Sequence, residues 1–124
     1  MIDDDEDDNY FHRLMLEESS LVNNIKIIDS GLLALEFIRT TEILPDLIFL
    51  DANMPKMSGW EFVQVYKKIA HAQKKYPVII MLTTSLNPAD QQKAKINSGI
   101  DGFETKPLTT EAFHRILKRH FADE

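Results

Sequence analysis

Three short apolar runs, at residues 25–28, 47–50 and 78–82, constrain this chain more than anything else in it. Each is strand-sized and too short for a buried helix, and a weaker fourth lies at 100–105. Between the runs the period changes from continuous to helical. Phe62, Val63, Tyr66, Ile69 and Ala70 fall on one helical face, as do Phe113, Ile116, Leu117, His120 and Phe121, and Phe11, Leu14 and Met15 begin a third stripe. The punctuation agrees. Ser30 and Thr109 stand where helix N-caps belong, Asn87-Pro88 reads as an N-cap followed by a first-turn proline, and Gly99 reads as a helix stop. Strands alternating with helices imply βα units, and therefore a parallel sheet covered on both faces.

Such a sheet binds ligands beyond the carboxyl ends of its strands, so those ends are where chemistry is expected. Asp51 directly follows the run 47–50. Thr83 and Thr84 follow 78–82, and Lys106 follows 100–105. The acidic stretch Asp3-Asp4-Asp5 follows Met1-Ile2, the remnant of a possible first strand. Each feature alone is ordinary: a solvated acidic terminus, a turn aspartate, a threonine with β-propensity, a lysine before a loop proline. On four strand ends they bring carboxylates, a hydroxyl and an ammonium to one edge. Crowded carboxylates repel unless a cation joins them, and a hard divalent ion with oxygen ligands, Mg²⁺, suits this set. The same groups suit phosphoryl transfer, which needs positioning and charge neutralisation. Asp51 is then the nucleophile, and needs no base because a carboxylate is already ionised at neutral pH.

Composition narrows the classes further. The 124 residues suit one domain spanning 1–124 with no attached output domain. A net charge of −6 argues against direct nucleic-acid binding. No apolar run approaches a membrane span, and the acidic N-terminus lacks the features of a signal peptide. Without cysteine there is no disulfide or thiol chemistry, and a cytoplasmic location is expected. His12, His71, His114 and His120 read as surface or helix-face residues, so a phosphohistidine donor must come from another protein.

The segments Ile2-Asp3-Asp4-Asp5, Leu50-Asp51-Ala52-Asn53-Met54-Pro55-Lys56-Met57-Ser58-Gly59, Met81-Leu82-Thr83-Thr84 and Thr105-Lys106-Pro107-Leu108 resemble the response-regulator receiver family of two-component systems, of which the chemotaxis regulator is the single-domain example. The resemblance implies a flavodoxin-like doubly wound α/β fold with parallel strand order 2-1-3-4-5. It implies that Asp51 accepts a phosphoryl group, with Asp4 a direct Mg²⁺ ligand, Asp3 a ligand through water, and Asn53 lending its backbone carbonyl. Thr83 becomes the switch hydroxyl, Lys106 the phosphate-pairing lysine, and Phe103 the switch aromatic; the Lys106–Pro107 bond is cis. Phosphorylation would then alter the face of the last two helices and last strand, including a helix at 89–98 with a thin apolar stripe. Ser85 and Asn53 hold the positions that tune acyl-phosphate lifetime. The implied partners are a sensor histidine kinase or phosphotransfer protein and a downstream protein target, with catalysis confined to the chain's own phosphorylation and dephosphorylation.

The departure from the family pattern is the first strand, reduced to the stub Met1-Ile2 where about five mostly apolar residues are usual. It leaves neighbouring backbone groups without partners, which is costly when they are buried, and is expected to weaken the metal site. Two alternatives stand beside the phosphoacceptor: a receiver-like interaction module that works without phosphorylation, and a receiver fragment of a hybrid kinase. An aspartyl-phosphate hydrolase is disfavoured, because its paired aspartates follow the first strand, whereas Asp51 follows a later one and Asn53 holds the position two residues on.

Overall fold

The computed structural model describes residues 1–70, 77–84, 92 and 99–121. Helix α1 (Glu6–Glu18) and helix α2 (Gly31–Thr40) precede strand β1 (Leu47–Asp51), followed by α3 (Gly59–Ala70), β2 (Val78–Thr83), β3 (Gly102–Thr105) and α4 (Thr110–Phe121). The strands form a parallel sheet in the order β1-β2-β3, with Leu47 opposite Val78, Asp51 opposite Leu82, and Thr83 opposite Thr105. Ile2 bridges Leu50 on one side and Ile28 on the other, both in parallel. The sheet therefore continues beyond β1 through Ile2 to Ile28. Counted along the chain, that is the order 2-1-3-4-5.

Alternation of side chains along the strands divides the core into two layers. Phe49, Ile80 and Leu82 face α1 and α4, meeting Met15, Leu16, Phe113 and Ile116. Ile48, Leu50, Ile79 and Met81 face α2 and α3, meeting Ala34, Leu35, Ile38, Phe62, Val63 and Tyr66. Phe62, Val63, Tyr66 and Ile69 of the expected α3 stripe and Phe113, Ile116 and Leu117 of the α4 stripe supply their share of this packing, although Phe121 at the end of α4 is more than one-third exposed. The expected caps also form. Ser30 Oγ accepts the Leu33 N–H at 3.3 Å, and Thr109 Oγ1 accepts the Ala112 N–H at 3.1 Å.

Three expectations need correction. The run 25–28 is not a strand along its length and pairs as a bridge only at Ile28. Among the described residues the stub bonds to this run only through the Lys26 carbonyl and at Ile28. The last strand begins at Gly102 rather than Ile100. Before it, the Asp101 carboxylate accepts the Ile79 N–H at 2.9 Å, taking a donor that a ladder carbonyl would otherwise use. The inner face of α1 is Asn9, His12, Met15 and Leu16, while Phe11 and Leu14 point outward at 53% and 41% exposure. The face is shifted because its two polar members have buried partners. Asn9 Nδ2 donates to the Asp3 carbonyl at 2.8 Å, and His12 Nε2 accepts the Leu108 N–H at 3.0 Å. The expected helix at 89–98 and its Asn87-Pro88 start, together with Ser85 and His71, lie outside the described residues.

Candidate functional site

The described strands and the Ile2 bridge all end at one edge of the sheet. Asp3 follows Ile2, Asp51 ends β1, Thr83 ends β2, and Lys106 follows β3. Asp3, Asp51 and Thr83 are all buried there. The stub places its carboxylates by backbone pairing on both sides. The Ile2 N–H donates to Phe49 C=O at 2.7 Å and its C=O accepts from Asp51 N–H at 2.9 Å, while the Asp3 N–H donates to Ile28 C=O at 3.1 Å. The two residues of the stub that carry the carboxylate edge are thus paired on both sides.

Lys106 is the hub. Its Nζ lies 2.8 Å from Asp3 Oδ2, 2.9 Å from Asp8 Oδ2 and 3.4 Å from Asp51 Oδ1. The Lys106 N–H donates to the Thr83 carbonyl at 2.8 Å, tying the ends of β2 and β3 together. The following Lys106–Pro107 peptide is cis, as the resemblance implies. Burial by itself would lower the Lys106 pKa, but the hydrogen bonds it donates to Asp3 and Asp8 and the charges of Asp3 and Asp51 outweigh it and hold the ammonium above its usual range. Asp51 moves the other way from an ordinary carboxylate. Burial raises its pKa most and the charge of Asp3 adds to that, against the Asn53 N–H at 3.2 Å and the Lys106 ammonium.

Asp3, Asp4 and Asp51 each present a carboxylate oxygen, all lying within 4.8 Å of one another. Asp4 is exposed and the other two are buried, so the group opens to solvent on one side. Three hard oxygens in an otherwise repulsive cluster, one with its pKa raised, fit a divalent cation that keeps several waters.

The loop after Asp51 is built for close approach. A Cβ on Gly59 would stand 2.5 Å from the Asp51 carbonyl and 2.8 Å from Met81 Sδ, so only glycine lets α3 begin against the end of β1. Its N–H donates to Ala52 C=O at 3.0 Å. Ser58 and Glu61 cap this helix reciprocally, Ser58 N–H to Glu61 Oε1 at 3.0 Å and Glu61 N–H to Ser58 Oγ at 3.1 Å. Phe103 is half-buried against the α2–α3 layer, and the β2–β3 register puts it on the same sheet face as Thr83. It makes no part of the carboxylate cluster. Asn53 is exposed in the loop, its N–H directed to Asp51.

Two residues of this corner were not legible beforehand. Asp8, on the first turn of α1, is the second carboxylate on Lys106; it lies just beyond the acidic stretch Asp3-Asp4-Asp5, and nothing in the sequence singles it out. His12, read as a surface or helix-face residue, lies on the inner helix face at 1% exposure, and burial lowers its pKa. A buried histidine at the spacing Asn9, His12, Met15 was the available signal, masked by the more apolar Phe11 and Leu14.

The family model for the response regulator receiver domain matches residues 1–118. A two-component response regulator from Cytophaga hutchinsonii superposes with a TM-score of 0.89 at 28% identity, covering 98% of this chain and 94% of that one. Hybrid signal transduction histidine kinase C of Dictyostelium discoideum is 33% identical over 82 residues, 63% of this chain and 7% of the kinase. Two-component response regulator ORR1 of Oryza sativa subsp. indica is 29% identical over 124 residues, 95% of this chain and 52% of the regulator. The chain thus spans a small part of the kinase and about half of the plant regulator.

Proposed function

The chain belongs to the response regulator receiver family, and from that premise we propose that it accepts a phosphoryl group on Asp51 from a phosphohistidine of a sensor kinase or phosphotransfer protein in the cytoplasm. The observation that carries the reading is the convergence on Lys106 of Asp3 and Asp51, at 2.8 and 3.4 Å, beside the exposed Asp4. An Asp51 oxygen attacks phosphorus as the P–N bond of the donor breaks. The electron pair leaves on the imidazole nitrogen, which takes up a proton, and an acyl phosphate remains on Asp51. Mg²⁺, when bound by Asp3, Asp4, Asp51 and the Asn53 carbonyl, supplies charge neutralisation for the phosphoryl oxygens. Lys106 pairs with another phosphoryl oxygen, exchanging one of its present carboxylates for the phosphate. Thr83 offers its hydroxyl to the phosphate from the end of β2. The chain turns over no separate substrate beyond its own phosphorylation and dephosphorylation.

The readout follows from the same packing. Thr83 drawn toward the phosphate vacates space on the face it shares with Phe103, and Phe103 fills it. The surface of β3 and α4, with the preceding segment of chain, then changes its affinity for a downstream protein.

Trp60, the chain's single tryptophan, follows Gly59 at the start of α3 and reports on the site directly. Beryllofluoride with Mg²⁺ should change its fluorescence, and Asp51→Asn should abolish the change. An unresponsive wild-type protein would sink the proposal. The match to a hybrid kinase favours a second reading, in which this receiver relays its phosphoryl group onward to another histidine. Transfer from labelled Asp51 to an isolated phosphotransfer protein distinguishes relay from terminal output.

A further inference from the structure

Asp8 lies outside the group of carboxylates that suits a divalent cation, yet it holds Lys106. Its Oδ2 accepts from Lys106 Nζ at 2.9 Å, beside Asp3 at 2.8 Å and closer than Asp51 at 3.4 Å. The oxygens that lie within 4.8 Å of one another belong to Asp3, Asp4 and Asp51. Nor is the Asp8 carboxylate needed to start α1. Asp5 Oδ1 accepts the N–H groups of Asp7 and Asp8 at 2.9 and 3.1 Å, and so caps the helix without it.

One turn further along α1, His12 holds the other end of the same segment. Its Nε2 accepts the Leu108 N–H at 3.0 Å, and both residues are buried. Residues four apart share a helix face. Helix α1 therefore grips Lys106-Pro107-Leu108 twice, at its first side chain and at its last amide. The two grips differ in kind. Breaking the His12 contact would leave a buried N–H unpaired, which is costly. The Asp8 side chain is 39% exposed, so its carboxylate can turn to water with little loss. When Asp8 lets go, His12 keeps the backbone of the segment in place.

An ammonium has three N–H donors, and three carboxylates surround this one. A phosphoryl group on Asp51 needs one of those donors. Asp3 is fully buried and Asp51 carries the phosphoryl group, so neither can withdraw from the corner. Asp8 can. We propose, resting on the phosphoacceptor reading of Asp51, that Asp8 is a positioning residue: a resting-state latch that parks the Lys106 ammonium beside Asp51 and yields it to the phosphoryl group. Asp8 makes no bond to phosphorus. Its charge competes with the phosphoryl oxygens for one cation, and so sets how readily the phosphorylated form is reached.

Beryllofluoride titrated at saturating Mg²⁺, followed by Trp60 fluorescence, measures that competition. Asp8→Ala should bind the anion about threefold or more tightly than wild type. Asp7→Ala removes the same charge from the same turn, and Asp7 is not among the carboxylates on Lys106. Its exposed charge is screened by salt, so affinity should change by less than about 1.5-fold. Alanine is a good helix former, so both variants keep α1. Without the anion, the Lys106 ammonium signal in ¹⁵N NMR should move in Asp8→Ala and stay in Asp7→Ala. Equal or weaker binding by Asp8→Ala, an equal gain in Asp7→Ala, or an unmoved Lys106 signal in Asp8→Ala would each overturn the latch alone. A wild-type chain that binds no beryllofluoride would overturn the phosphoacceptor reading, and the latch with it.

Discussion

The two ends of the same two-residue stub behave oppositely. At its carboxyl end, Ile2 and Asp3 are paired on both sides, and the Asp3 side chain and carbonyl accept from Lys106, Asp5 and Asn9. At its amino end, the bonds of Met1 among the described residues all run to one side, its carbonyl accepting the Ile28 N–H and its buried ammonium donating to the Lys26 carbonyl. The difference teaches that a strand's length and its functional service are separable. One bridging residue suffices to place carboxylates at the chemical edge, because parallel pairing fixes direction as well as position.

The strongest way to break that contrast is to strip the well-made end of its cation. Lys106→Met leaves buried Asp3 facing Asp51 without a counter-charge and should lower unfolding free energy by about 3 kcal/mol in Mg²⁺-free buffer. Urea denaturation measures this, and added Mg²⁺ should restore part of the loss. A variant as stable as wild type would mean that the corner is solvated and the hub unimportant.

Repairing the poor end should act in the opposite direction. Four apolar residues ahead of Met1 replace the desolvated ammonium with an amide. Stability should rise by about 2 kcal/mol, while the carboxylate corner keeps its Mg²⁺ affinity. A change in Mg²⁺ affinity as large as the change in stability would show that the two ends are coupled after all. Gly59→Ala tests the corner from the loop side. Its new methyl meets the Asp51 carbonyl and should cost about 1–3 kcal/mol by denaturation, with α3 displaced from the end of β1.

The smallest effect is in pH. Burial keeps the folded-state pKa of His12 below its ordinary 6.5, and that of Met1 at about 6 against 8.0. Both groups charge more readily in the unfolded chain. The stability tied to Met1 is therefore present above pH 8 and lost as pH falls toward 6, and that tied to His12 is present above 6.5 and lost below it. His12→Gln, whose side-chain carbonyl can still accept the Leu108 N–H, should flatten only the lower part of this slope in thermal melts. The apolar N-terminal extension should flatten only the upper part.

How much of this was legible in the sequence depends on whether a residue's environment is local. The strand runs 47–50 and 78–82, the stripe through Phe62, Val63 and Tyr66, and the caps Ser30 and Thr109 are local patterns, and each forms as read. The parallel order and the gathering of Asp3, Asp51, Thr83 and Lys106 at one edge follow from those patterns with the family resemblance. His12 and Asn9 were missed because periodicity counts apolar residues, whereas their burial rests on partners elsewhere, for His12 the Leu108 amide far along the chain. The loss of the strand at 25–28 has a related cause. Its residues have β-propensity, but a strand exists only where a neighbour pairs with it, and here the bridge is made at Ile28 alone.

The claim that organises the rest is that the gripped stub leaves Asp51 chemically competent. Incubation with acetyl phosphate, followed by peptide mapping of the labelled protein, tests it most directly. The account predicts one phosphoryl group on Asp51, formed with Mg²⁺ and lost without it, and none on Asp51→Asn. An unlabelled wild-type chain in Mg²⁺, or label that persists elsewhere in Asp51→Asn, would contradict it.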